Sequence, residues 1–285
     1  MTKRTASIAI FLFGAAILPG CSFSVGEENF LRPVSAGRLD QGQIQHTPYA
    51  STVHTITAAD GTKLYATYLK QPGATMTILY FGGNGFTIGK IGAVTAAHFA
   101  PLGVNLMLVD HRGYGQSGGT PQLQAMMTDG LSAFDHLALL PGENASRIVV
   151  HGHSLGSFVA GYVAAHRVTA GAVLESSVTT TEDWIKARKG MLPVRIKLSA
   201  QLQGQGNLRN VKAIEEPLLI LVGAKDKVTP PRLSKSLFAA SPLPAGIKSL
   251  HIVKNATHTD VIGQPATVPL YRKFLANRLV DLSKE

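Results

Sequence analysis

Cysteine is almost absent from this chain: among 285 residues Cys21 is the only one. No intramolecular disulfide can form, and no Cys/His spacing of the zinc-binding kind occurs, so the fold has neither staple. Long apolar runs are missing too; the segment Ala6 to Leu18 falls short of the roughly 20 residues that span a bilayer. Internal repeats and low-complexity tracts are also lacking, which leaves one domain of ordinary size with room for a substantial core. Acidic residues are scarce, 17 Asp+Glu against 27 Lys+Arg, for a formal charge of +10. Such a balance suits anionic surfaces or substrates, but no recognition motif accompanies it, and nucleic-acid binding is set aside.

The apolar segment follows Lys3-Arg4 and ends in Leu18-Pro19-Gly20-Cys21, the pattern of a secretory signal with a cleavage site. Leu18 three before the cysteine and Gly20 just before it resemble the bacterial lipoprotein signal, with Pro19 a less usual occupant between them. The resemblance implies a signal peptide over residues 1–20 and acylation of Cys21 on sulfur and then nitrogen, an anchor of several chains that holds where one does not. Losing Lys3 and Arg4 lowers the charge by two, to +8. Ser22 follows the cysteine, not the aspartate that resemblance to enterobacterial lipoproteins would associate with inner-membrane retention, so the resemblance implies the outer membrane of a bacterial envelope. Residues 21–50 are polar and glycine-containing, with Phe23, Phe30 and Leu31 scattered among them, and read as a tether; a partly packed arm is the alternative.

Residues 51–285 read as the folded domain. Thr52 to Thr57 alternates as a strand, Asp60-Gly61 turns, and Leu64 to Leu69 alternates again, an antiparallel hairpin. Then come short continuous apolar runs separated by helical segments: Met76 to Phe81, Val104 to Val109, Ile148 to Val150, Ala170 to Leu174, Leu218 to Val222 and Leu250 to Val253. Uninterrupted apolar strands between helices predict a mostly parallel, doubly wound sheet covered on both faces, whose ligands gather at the carboxyl ends of its strands.

The strand ending at Val150 leads into His151-Gly152-His153-Ser154-Leu155-Gly156, and then a helix. Glycines two before and two after Ser154 let the chain double back and lift Oγ clear of both elements, at a helix N-terminus that favours negative charge. By itself this also reads as a helix N-cap. The other strand ends argue for chemistry. Phe81 is followed by Gly82-Gly83-Asn84-Gly85, a loop whose N–H groups can approach a substrate closely. Val109 is followed by the polar turn Asp110 to Gly119, which shapes a rim. Val222 leads to Asp226, and Val253 to His258; His111 and Asp260 are the second choices for base and orienter, and His153 reads as structural.

Together F-G-G-N-G at Phe81 to Gly85, D-H-R-G-Y-G-Q-S-G at Asp110 to Gly118, G-H-S-L-G at Gly152 to Gly156, and then Asp226 and His258 resemble the α/β-hydrolase fold in its order Ser, Asp, His. The nearest branch is similar to serine-aminopeptidase-like hydrolases, including acyl-protein thioesterase-like members that remove palmitate. Gly82 stands where many relatives carry His. The resemblance implies Ser154 as nucleophile, His258 as base, Asp226 as its orienter, and an oxyanion hole from the N–H groups of Leu155 and of Asn84, with Gly83 the alternative to Asn84. It calls for no cofactor and no metal.

Residues 176–214 read as a short cap. From Trp184 to Ile214 this stretch has seven Lys and Arg and no acidic residue, interleaved with Trp184, Ile185, Met191, Leu192, Val194, Ile196 and Leu198. It suits either a helix on an anionic membrane or a solvated lid with its apolar side on the core. Three functions follow: hydrolysis of a small or lipid-like ester or thioester, peptide hydrolysis by the same groups, or a non-catalytic envelope scaffold. The oligomeric state is not legible.

Overall fold

The structure is a computed structural model that describes residues 22–189 and 195–282. The expected signal peptide and Cys21 lie outside them, as do Met191, Leu192 and Val194 of the cap. Among the described residues no helix is long and apolar enough to cross a membrane.

The elements in order are β1 (Ser22–Val25), α1 (Glu27–Phe30), β2 (Ala50–Thr57), β3 (Lys63–Lys70), β4 (Thr77–Phe81), α2 (Ile88–Phe99), β5 (Asn105–Val109), α3 (Leu123–Ala138), β6 (Ile148–His153), α4 (Leu155–Ala164), β7 (Gly171–Glu175), α5 (Thr181–Lys189), β8 (Arg195–Leu198), α6 (Asn210–Ala213), β9 (Leu218–Gly223), α7 (Pro231–Ala240), β10 (Lys248–Val253) and α8 (Thr267–Leu282). Eight strands form the main sheet in the order β10-β9-β7-β6-β4-β5-β3-β2. All neighbours are parallel except β2 with β3 and β3 with β5. The N-terminal hairpin thus lies at one edge of an otherwise parallel sheet, as the alternating strands predict.

Continuous apolar strands serve two cores at once. Leu79, Phe81, Val150, Leu174 and Ile220 face one side and join Phe134, Val159 and Val163 of α3 and α4. Ile78, Tyr80, Val149, Val173 and Leu219 face the other and join Ala96, Phe99, Tyr271 and Phe274 of α2 and α8. Side chains alternate across a strand, so polar residues on either face would be stranded in a core. Each such buried aliphatic side chain contributes about 1.5–3 kcal/mol.

Strand order fixes where the site must be. The chain passes from β4 to β5 on one side and then crosses back to β6 on the other, so a crevice opens between the loops after β4 and β6. The segment expected as a tether departs from that expectation and packs against the domain. Leu31, Leu39, Ile44 and Tyr49 are buried. Glu27 Oε1 accepts from Leu123 N at 2.7 Å, placing a carboxylate at the N-terminus of α3. Val34 O accepts from Gly115 N at 2.8 Å, and β1 pairs in parallel with β8 of the cap. Apolar residues spaced irregularly through a polar stretch carry no period, yet enough of them are buried to offset the entropy of ordering it.

Candidate active site

The turn between β6 and α4 is as tight as its glycines require. A Cβ on Gly152 would lie 2.2 Å from Gly156 O, and one on Gly156 would lie 2.0 Å from Phe81 O, so neither position accepts a side chain. Ser154 at the apex has φ 53 and ψ −114, a conformation that costs about 1–3 kcal/mol and persists only when its surroundings enforce it. Those surroundings are hydrogen bonds: Ser154 N donates to Glu175 O at 2.9 Å, and Ser157 Oγ donates to Ser154 O at 2.6 Å. Asn207 Nδ2 in turn donates to Ser157 O at 2.8 Å and to Ser177 Oγ at 2.8 Å.

Three side chains from three strand ends meet here. His258 Nε2 lies 2.9 Å from Ser154 Oγ, and His258 Nδ1 lies 2.9 Å from Asp226 Oδ2. The Asp226 carboxylate is fully buried. Burial by itself would raise its pKa, but the hydrogen bond and proximity of His258, with donors from Thr229, outweigh that and hold it below the usual aspartate range. Oδ1 accepts from Val228 N and Thr229 N, each at 2.8 Å, and Oδ2 accepts from Thr229 Oγ1 at 2.7 Å. Thr229 Oγ1 also lies 3.2 Å from His258 Nδ1, so one ring N–H is shared between carboxylate and hydroxyl.

The second choices for base and orienter go elsewhere. His111 is buried with Nε2 donating to Gly82 O at 2.8 Å, which fastens the loop after β4. Asp260 accepts from Thr257 N and Thr257 Oγ1 and from Gln264 Nε2, closing its own turn. His153 Nε2 donates to His258 O at 2.7 Å and so supports the loop that carries His258. Burial pushes the His153 pKa down, which keeps the ring neutral.

The loop after β4 supplies the opposite wall. Gly82 leaves room for the Phe86 ring: a Cβ there would lie 2.0 Å from Phe86 Cγ. The Asn84 side chain is committed to the N-terminal segment, with Nδ2 donating to Phe30 O at 2.6 Å and Oδ1 accepting from Arg32 N at 2.8 Å and Tyr114 OH at 2.8 Å. Any contact from Asn84 to a reacting oxygen therefore falls to its main-chain N–H. Leu155 is the first residue of α4, where the helix offers its N–H no acceptor. The polar rim after β5 is built on charge. Arg112 grips Asp129 through Nε and Nη2 at 2.6 and 2.5 Å and reaches Asp60 through Nη1 at 2.8 Å. Asp110 accepts from Ile88 N and Gln116 N, yet burial pushes its pKa up to about 6.

These walls enclose a cleft of about 310 Å³ whose lining includes Gly83, Asn84, His153, Ser154, Leu155 and His258. A wider hollow of about 470 Å³ between α5 and β8 holds none of these groups. No cluster of three or more His, Cys, Asp or Glu suited to a metal ion exists among the described residues. Phe30, Arg32, Trp184 and Arg188 also line the cleft, so the supposed tether and the cap help to make its wall. The Phe30 and Trp184 rings meet edge to face, centroids 5.4 Å apart. Trp184 and Ile185 pack on the core while Lys186 and Arg188 are exposed, so α5 turns its apolar side inward.

Sequence reasoning missed three contributors: Thr229, Glu175 and the Phe30–Arg32 stretch. Thr229 has a local signal, since an aspartate followed three residues on by threonine, just before the Pro230-Pro231 start of α7, is a turn in which both side chains bond. Glu175 closes a strand whose apolar run hides it. Its burial would raise its pKa, but His151 at 2.9 Å and the neighbouring His153 reverse the shift and lower it, and Oε1 accepts from Ile262 N at 3.3 Å.

Comparison with known proteins agrees with this architecture. Residues 73–209 match the family described as serine aminopeptidase, S33. Protein bem46 of Schizosaccharomyces pombe is 28% identical over 220 residues, covering 74% of this chain and 71% of that protein. Among solved structures, the Pyrococcus furiosus esterase Pf2001 aligns with a TM-score of 0.69 at 18% identity over 86% of this chain and 98% of its own. An acetyl xylan esterase from Paenibacillus sp. R4 aligns with a TM-score of 0.61 at 16% identity over 87% and 97%. With its strand order, its strained serine turn and these matches, the chain has the α/β-hydrolase fold.

Proposed function

We propose that this protein is a serine hydrolase that cleaves carboxylic esters or thioesters through an acyl-enzyme. The observation that carries the reading is the unbroken hydrogen-bond chain from Ser154 Oγ through His258 to the buried Asp226 carboxylate. Ser154 Oγ attacks the carbonyl carbon while His258 Nε2 takes its proton, and the same proton passes to the departing alcohol or thiol as the carbonyl re-forms. Water then repeats the sequence on the acyl-enzyme, releasing the acid and restoring Ser154. Asp226, kept ionised, stabilises the imidazolium and fixes its ring. The transient oxyanion is held by the N–H groups of Leu155 and Asn84, each such donor being worth about 3–4 kcal/mol of barrier.

Ester chemistry is favoured by the two aligned proteins whose names say esterase. A peptidase acting through the same groups is the second reading, favoured by the description of the matching family as a serine aminopeptidase. The deciding experiment is labelling of the folded protein by a fluorophosphonate, with Ser154→Ala and His258→Ala alongside and circular dichroism to verify folding. Label on the intact protein alone supports an activated serine; a folded, unlabelled wild type overturns it. An ester panel set against aminoacyl amides then separates the two readings.

The same proposal includes a lipid anchor on Cys21 that holds the enzyme at a bacterial envelope, in the outer membrane. Support comes from the Leu18-Pro19-Gly20-Cys21 pattern and from the single cysteine. Radiolabelled palmitate incorporated by the wild type and lost in Cys21→Ala is the expected result; equal incorporation would sink it.

A further inference from the structure

The cleft is chemically lopsided. Its apolar wall consists of Phe30, Leu155, Phe158, Val178, Trp184 and Val228, and among the described residues the only ionisable side chains lining it, apart from its two histidines, are Arg32 and Arg188, with no carboxylate among them. The two arginines come from segments far apart in the chain and are set in place independently. Arg32 N–H donates to Asn84 Oδ1 at 2.8 Å and to Tyr114 OH at 2.9 Å, which fixes its backbone beside the loop after β4. Arg188 Nη1 donates to Lys227 O at 3.1 Å, which ties its guanidinium to the loop bearing Asp226. Among the described residues the ion-paired arginines are Arg112 and Arg167, and neither arginine of the cleft has an acidic partner.

Both side chains are exposed at the mouth of the cleft, and two like charges at one rim without a counter-charge repel each other. A bound anion reverses that cost. Guanidinium forks match the oxygens of phosphate and carboxylate, and do so better than an ammonium group. We propose that the cleft selects an ester that itself bears an anionic group, phosphate or carboxylate, held by Arg32 and Arg188 while an apolar chain lies on the Phe30–Trp184 wall. The inference rests on the serine hydrolase reading and names the substrate class for that site. It also gives the packed N-terminal segment a task, since Arg32 reaches the cleft only because residues 22–49 fold onto the domain.

The test uses the full-length protein in detergent with a matched soluble pair, 1-butyrylglycerol and 1-butyrylglycerol 3-phosphate, and follows butyrate release. The phosphate ester is expected to show a kcat/KM at least about 10-fold higher, mainly through KM, a difference of about 1.4 kcal/mol. The ratio should fall towards one in the Arg32→Gln, Arg188→Gln double variant and in about 0.5 M salt, where charges are screened within a few ångströms. Lys235→Gln, an exposed charge removed from α7 away from the cleft lining, should keep the wild-type ratio. Fluorophosphonate labelling of Ser154 in every variant separates a lost preference from a lost fold.

Equal kcat/KM for the two esters in a labelled wild type overturns the subsite and leaves the hydrolase reading intact. Absence of both labelling and turnover overturns the two together. A second arm adds phosphatidylglycerol vesicles to tell a soluble anionic ester from an anionic bilayer. Preference in vesicle-free solution supports the proposal. Equal soluble kinetics with vesicle binding lost in the double variant assigns the arginines to a membrane and overturns it.

Discussion

Two regions make this cleft, and they are held in different ways. The floor, formed by Ser154, His258 and Asp226, stands on the ends of buried strands, and each of its groups is fixed by a partner that is itself buried or backbone-bound. The wall, formed by residues 22–32 and by α5 with β8, is half exposed and held by the β1–β8 pairing, by the Phe30–Trp184 contact and by a few polar bonds to Asn84, Tyr114, Leu123 and Lys227. Catalytic geometry tolerates errors of a fraction of an ångström, so it belongs on the rigid element. Selection of a ligand tolerates more and varies more easily on peripheral segments. On this division, changes to the floor should destroy rate, whereas changes to the wall should alter what binds.

Removing the groups of the floor that are proposed to react is the largest predicted effect. Ser154→Ala should lower turnover of any ester by about 10⁴–10⁶-fold with unchanged circular dichroism, and Asp226→Asn by about 10⁴-fold through the wrong imidazole tautomer, both read by steady-state kinetics. An Asp226→Asn variant retaining most of its rate would mean that the floor is not the reacting centre.

The floor's supports come next. Glu175→Gln replaces the buried carboxylate that His151 Nε2 contacts at 2.9 Å and should cost about 1.5–3 kcal/mol near pH 7, seen as a lowered Tm. The folded-state pKa of Glu175 is lowered, so its contribution is present above the ordinary glutamate range near pH 4.3 and is lost as pH falls through and below it. The Tm gap between wild type and variant should therefore narrow as the pH is lowered from 7 towards 4 and below; a gap that widens would contradict the assigned charge. Gly156→Ala places a Cβ against Phe81 O and should destabilise by at least about 1–3 kcal/mol, measured by denaturant unfolding.

Smaller effects sharpen the boundary between the regions. Thr229→Val removes one donor from Asp226 and should reduce kcat about 5- to 10-fold with KM little changed, while Thr229→Ser restores it. Phe30→Ala loses an edge-to-face pair worth about 0.5–1.5 kcal/mol and should raise KM several-fold with kcat nearly constant. If Phe30→Ala lowered kcat as strongly as Thr229→Val does, the wall would have to be counted as part of the reacting centre.

Much of the floor was legible because its signals are local. A continuous apolar run, a glycine pair around one serine and a polar residue just past a strand each report on the few residues around them, and parallel strands deliver their ends to the same edge. Ser154, Asp226 and His258 could be named one strand end at a time, and the structure brings them within hydrogen-bonding distance. Thr229 was readable in principle from its offset to Asp226 and from the prolines that follow. Glu175 was not, because its role depends on His151 on the neighbouring strand, three residues before Ser154, and on Ile262 N in another loop.

The sequence by itself determined the order of the main-sheet strands, the two-faced burial of the sheet and the place of the serine turn, since all of these follow from short apolar and alternating runs and from backbone freedoms written at single positions. Only the tertiary structure decided that residues 22–49 pack against the domain, that Asn84 spends its side chain on Phe30 and Arg32, and that α5 turns Trp184 inward beside them. These outcomes are sums of contacts between segments some 50 to 160 residues apart, each too weak to leave a local pattern. They stand because together they bury enough apolar surface to offset the entropy of ordering a polar stretch of chain.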